Sequence, residues 1–146
     1  MNSADIELTE HIVWLPWRSG PAVGREDSAV VSVTDFRARR PWDIPHIYWT
    51  GLRLREGWYA MPGAIGMWLW GQPLSKGRGG SVSVWESQAD LRRFVALPAH
   101  RAIMRKYRAL GTLNSTTWQI ECFTRSAARA AAEQRIKEWS SPAASA

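Results

Sequence analysis

The chain has 146 residues, 45% of them hydrophobic and 22% charged, which fits one globular domain with a sizeable core and excludes a disordered chain. Its net charge of +6 is scattered and mixed with acids rather than gathered in a tract, which argues for a solvated surface and against a nucleic-acid partner. The lone Cys122 excludes an intrachain disulfide, and no apolar run is long enough to span a bilayer.

Residues 1–27 read as an irregular arm, because "LPWRSGPAVGRED" is rich in Pro, Gly and charge. The first residues carry no basic start followed by an apolar run, so no signal peptide is expected and the cytoplasm is the expected location. "SAVVSVTDF" (28–36) is β-branched and predicts a strand. From Asp43 the period changes. Ile47, Gly51, Leu54 and Trp58 share one helical stripe, with Asp43 as N-cap and "MPG" (61–63) as the stop.

"AIGMWLWGQ" (64–72) predicts the second strand, "PLSKGRGG" (73–80) a loop, and "SVSVWE" (81–86) the third strand. Ser87 then caps a helix, with Asp90 as a short capping box. Pro98 interrupts it, and a second piece runs on to about Arg108. "STTWQIECF" (115–123) predicts a fourth strand, and the Ala-rich 125–140 stretch a last helix before a frayed tail at 141–146. The fold class is therefore α+β: a ferredoxin-like βαββαβ sheet over residues 28–124 with an extra C-terminal helix.

Strand alternation sorts the side chains. Ile65, Met67 and Leu69, with Val82, Val84, Val31 and Val33, are the expected partners of the helices. Trp68, Trp70 and Trp85, among Ser32, Thr34, Ser81, Ser83, Thr117, Gln119 and Glu121, make up the expected opposite face. Such a face is too aromatic for water and too polar for a dry core, so a second copy of the chain is expected to cover it. Ten Trp in one small domain point to a flat ligand, an interface, or both.

"SVSVWESQADLRRFVALPAH" and "PGAIGMWLW" resemble the strand–helix signatures of the dimeric α+β barrel superfamily, which includes antibiotic biosynthesis monooxygenase-like domains and haem-degrading monooxygenases. The resemblance covers residues 28–124 and implies a homodimer and, in some members, cofactor-free oxygenation. Haem-degrading members carry an Asn on the first strand and a haem-ligating His late in the second long helix. This chain has Ser32 and Thr34 on that strand, and His100 lies about one turn earlier.

His100, Met104 and Tyr107 fall at i, i+4 and i+7, hence on one helix face. His100 is the candidate catalytic base, since imidazole suits proton abstraction from a phenol or enol near neutral pH. Tyr48, Trp68, Trp70, Trp85, Met104 and Tyr107 are the candidate substrate-binding residues. A His that merely caps the helix after Pro98 or bonds a partner subunit is the competing reading. Arg101, Arg105 and Arg108 form the neighbouring stripe, open to an anion or to solvent alone. His11, His46 and His100 are too dispersed for a metal site.

The functional expectation is a monooxygenase-like enzyme without a cofactor, acting on a hydrophobic aromatic or polycyclic molecule. The alternatives are a non-catalytic ligand-binding or dimerisation module, or a haem protein using His100. The expected partners are a second copy and a small hydrophobic ligand, with neither nucleic acid nor membrane.

Overall fold

The computed structural model describes residues 11–22, 28–72 and 77–140. The expected tail at 141–146, residues 1–10 and 23–27 of the expected arm, and residues 73–76 of the expected loop lie outside the described residues.

Two short strands, β1 (Val13–Trp14) and β2 (Arg18–Ser19), lie in the stretch read as irregular. They are followed by β3 (Ala29–Ala38), α1 (Ile44–Glu56), β4 (Ala64–Gln72) and β5 (Arg78–Trp85). Then come α2 (Gln88–Ala96), α3 (Pro98–Leu110), β6 (Gly111–Ile120) and α4 (Arg125–Ser140). The sheet is ordered β4-β5-β3-β6, all antiparallel, with β1 and β2 on the free edge of β4. This is the ferredoxin-like order with an added C-terminal helix that the sequence predicts.

The helix boundaries follow local chemistry. Ser87 Oγ accepts from the Asp90 N–H at 3.2 Å and donates to Asp90 Oδ2 at 2.8 Å, closing the first turn of α2. Leu97, just before Pro98, sits at φ −59°, ψ 137°, the extended conformation that a following proline enforces. The long helix is thereby split in two, with Pro98 at the start of α3. Asp43 holds the N-cap position of α1 but makes no capping bond. β5 and β6 each begin several residues before their predicted starts, at Arg78 and Gly111.

The two faces of the sheet differ from the expected division. Register sets Trp68 opposite Val82, Met67 opposite Ser83 and Leu69 opposite Ser81. Trp68 and Trp70 therefore share the face of Val31, Val33, Val82 and Val84. Trp85 stands on the other face, with Met67, Val30 and Phe94. A bulge between Ala64 and Gly66 breaks the alternation of β4, so that Ile65 joins the valine face, away from Met67.

The valine–indole face is covered by this chain itself. Ala128, Ala132 and Ile136 of α4 lie on it, fully buried, beside Ile12, Trp14 and Trp17. Trp17 meets Trp68 edge-on at 4.4 Å, and Arg125 and Arg129 lie over the Trp17 and Trp14 rings at 5.2 and 4.9 Å. Gly66 makes room for this contact, since a Cβ there would fall inside the Trp17 ring. Trp68 and Trp70 are 4% and 2% exposed within one chain, so they need no second subunit to shield them.

A buried ion pair anchors the same layer. Arg78 donates to both oxygens of Asp35, at 2.7 Å from Nη2 and 3.1 Å from Nε. Its Nη1 donates to Gln72 Oε1 at 2.9 Å and Nη2 to the Ile136 carbonyl at 2.6 Å. Arg37 Nη2 donates to the Trp139 carbonyl at 2.7 Å. Two arginines of the sheet thus satisfy carbonyls in the last turns of α4, the end where a helix favours positive charge.

Candidate functional site

α1 and α3 carry apolar stripes towards the sheet, yet no residue of either helix is buried. The reason is a cavity of about 1190 Å³ between them and the sheet. Ile47, Gly51 and Leu54 of α1 and Ile103, Met104 and Tyr107 of α3 form its roof. The Tyr107 hydroxyl donates to the Ile47 carbonyl at 3.0 Å and ties the two helices together.

The floor is a patch of hydroxyls. Ser83, Ser32 and Thr117 lie side by side across β5, β3 and β6, and Ser81, Thr34 and Ser115 form the next row. Thr34 Oγ1 and Ser81 Oγ share a hydrogen bond of 2.8 Å, and Thr117 Oγ1 donates to Ser32 Oγ at 3.4 Å. The Ser-Val alternation of "VSVT" and "SVSV" places these side chains on one face and packs the valines under α4. An apolar roof over a hydroxyl floor suits a flat hydrophobic molecule bearing oxygen substituents.

His100 lines one end of the cavity, just beyond the α2–α3 break. Its Nδ1 lies 3.2 Å from the Val95 carbonyl oxygen, and its ring lies 4.5 Å from Phe94. A carbonyl only accepts, so Nδ1 carries the proton and Nε2 keeps the lone pair in the neutral ring. Burial holds the His100 pKa below the usual imidazole value, outweighing the Val95 bond. Burial likewise pushes the Tyr48 and Tyr107 phenols up, so both remain protonated donors near neutral pH.

Of the predicted site residues, the cavity brings together His100, Tyr48, Met104 and Tyr107; Trp70 adjoins it on β4, but its indole lies with the valines on the other face of the sheet. Tyr48 packs over Gly71 and Gly79, its hydroxyl 3.5 Å from the Arg78 carbonyl. Trp68 lies on the opposite side of the sheet, under the arm. Trp85 is fully buried in an aromatic cluster with Trp58 and Phe94, its Nε1 donating to Ser83 Oγ at 2.9 Å, and it does not line the cavity. It supports Phe94, and Phe94 supports His100. The six floor hydroxyls were not among the predicted site residues, although the Ser-Val alternation carried the signal. Among the described residues, no group of three or more His, Cys, Asp or Glu could hold a metal ion, and no helix is long and apolar enough to cross a membrane.

A four-stranded antiparallel sheet in this strand order, with the connecting helices packed on one face, defines the ferredoxin-like α+β class. No protein-family model matches the sequence, and no curated protein matches it. Solved structures do. A proposed monooxygenase from Lactobacillus acidophilus superposes with a TM-score of 0.55 at 8% identity, covering 70% of this chain and 50% of that one. A second, from Fusobacterium nucleatum, gives 0.62 at 7% identity over 77% of this chain and 51% of that one. An antibiotic biosynthesis monooxygenase gives 0.53 at 17% identity over 66% of this chain and 99% of its own length. This chain therefore spans about half the length of the first two proteins and nearly all of the third. The structural neighbours are antibiotic biosynthesis monooxygenase-like proteins, and at these identities the likeness is one of fold.

Proposed function

We propose that the chain is a monooxygenase-like enzyme that uses no cofactor and oxidises a hydrophobic aromatic or polycyclic substrate held between α1, α3 and the sheet. The observation that carries this reading is His100 at the cavity wall, its Nδ1 engaged by Val95 and its Nε2 left as the basic atom. In this reading Nε2 removes a proton from an activated ring carbon whose charge spreads onto a neighbouring ring oxygen. The floor hydroxyls donate to that oxygen as it becomes anionic. The carbanion adds O₂, and the imidazolium returns its proton to give a hydroperoxide. Loss of the second carbon-bound hydrogen with O–O cleavage leaves a ketone and water. A CH₂ group and O₂ become C=O and H₂O, with both electrons supplied by the substrate.

Anthrone has such a carbon. Its addition should give O₂ uptake above the buffer rate, matched one to one by anthraquinone, and His100→Ala should lower kcat/KM by about 10²–10⁴-fold. Uptake equal in the variant and the wild type, or absent from both, would overturn the catalytic reading and leave a ligand-binding module.

The same imidazole supports a second reading. A ring nitrogen whose partner N–H is fixed by a carbonyl suits metal ligation, so His100 would hold a haem, which when bound would supply oxygen activation. A Soret band on haem addition that vanishes in His100→Ala supports it, and its absence removes it.

The proposal also includes a homodimer. Its support is no longer the indole face but β6, a ten-residue strand at the sheet edge with half of its residues exposed. Sedimentation equilibrium reads this directly: a single-chain mass of 16.5 kDa at all concentrations would exclude it.

A further inference from the structure

The charged side chains lining the cavity are all arginines: Arg92 on α2 and Arg101, Arg105 and Arg108 on α3. No carboxylate stands among the described lining residues. The three on α3 are spaced i, i+4, i+7 and so share one edge of the helix beside the cavity. α3 also holds Lys106 and contains no acidic residue at all. The ion pairs among the described residues lie elsewhere.

A merely solvated helix face looks different in this same chain. α4 pairs Arg135 with Glu138 at 3.3 Å and Lys137 with Glu133 at 3.9 Å. On α3, like charges sit one turn apart with no ion pair among the described residues to offset them, and Arg101 adds positive charge near the end of the helix that is already positive. This arrangement disfavours the free helix. A bound anion adds an attraction to each of these positive groups that offsets their mutual repulsion, and guanidinium groups match a carboxylate in shape as well as charge.

We propose that the molecule accepted by this cavity is an aromatic carboxylate. Its ring system lies between the α1–α3 roof and the hydroxyl floor, and its carboxylate rests against Arg101, Arg105 and Arg108. The proposal rests on the cavity being the ligand site and adds the charge class of what enters it.

The test uses a matched pair, 1-naphthol and 1-hydroxy-2-naphthoate, titrated at neutral pH against the quenching of tryptophan emission, with Trp58 at the cavity wall. In wild type the carboxylate should bind roughly tenfold more tightly than the naphthol at about 0.05 M salt, and the advantage should shrink towards parity near 1 M. The Arg101→Gln, Arg105→Gln, Arg108→Gln triple variant should lose the advantage. Equal binding of the two probes to wild type, or an advantage indifferent to salt, overturns the carboxylate proposal and leaves the cavity reading standing. Quenching by neither probe removes the cavity reading itself. Should the triple variant fail to fold, the wild-type salt series still decides the matter.

Discussion

The Tyr107 hydroxyl donates to the Ile47 carbonyl at 3.0 Å, joining α3 to α1 across a separation of 60 positions. No residue of either helix is buried, so this bond is a main fixture of a roof that stands off the sheet. Tyr107→Phe keeps the ring against Phe36, whose centroid is 5.0 Å away, and removes only the bond. The expected loss is about 1 kcal/mol, seen as a fall in Tm of roughly 2–4 °C. An unchanged Tm would show that the roof is held by packing alone.

Asp35 and Arg78 call for a larger effect. Their side chains are 0% and 4% exposed, so removing one charge strands the other away from water. Asp35→Asn should cost about 3–5 kcal/mol by urea unfolding, because Gln72 and the Ile136 carbonyl accept from the guanidinium without neutralising it. A cost below about 1 kcal/mol would show that the pair is solvated in solution.

The pH dependence follows from His100. Its folded pKa lies below the free value of 6.5, because burial disfavours the imidazolium. Between 6.5 and the lowered value the unfolded chain binds a proton that the folded chain does not, so stability should fall as pH drops through that window. The neutral base is kept to the same lowered pH. The acid limb of kcat/KM for anthrone oxidation should therefore lie below 6.5, and a limb above 6.5 would assign the base to another group.

The opposed placement of Trp68 and Met104 gives a paired test. Trp68 belongs to the core beneath Trp14 and Trp17, whereas Met104 faces the cavity. Trp68→Ala should cost about 3–5 kcal/mol of stability while the KM of the remaining folded protein stays within about twofold. Met104→Ala should raise KM several-fold with a stability change below about 1 kcal/mol, since Met104 is only partly buried. The reverse outcome would place the ligand on the indole side of the sheet.

What the amino-acid sequence determined by itself was local. The strand and helix order, the Ser87 cap, the break at Pro98 and the shared face of His100, Met104 and Tyr107 all follow from residues within a few positions of one another. Propensity, capping and periodicity act at that range. Tertiary structure decided which face of the sheet is which. Alternation gives two sets of side chains per strand but says nothing of how the sets of neighbouring strands match, and one bulge at Ile65 reverses part of a strand. Register put the indoles with the valines, and α4 and the arm, distant in sequence, closed over them. The serines and threonines were left as the floor of a cavity because two helices stand away from them, a gap that no run of neighbouring residues encodes.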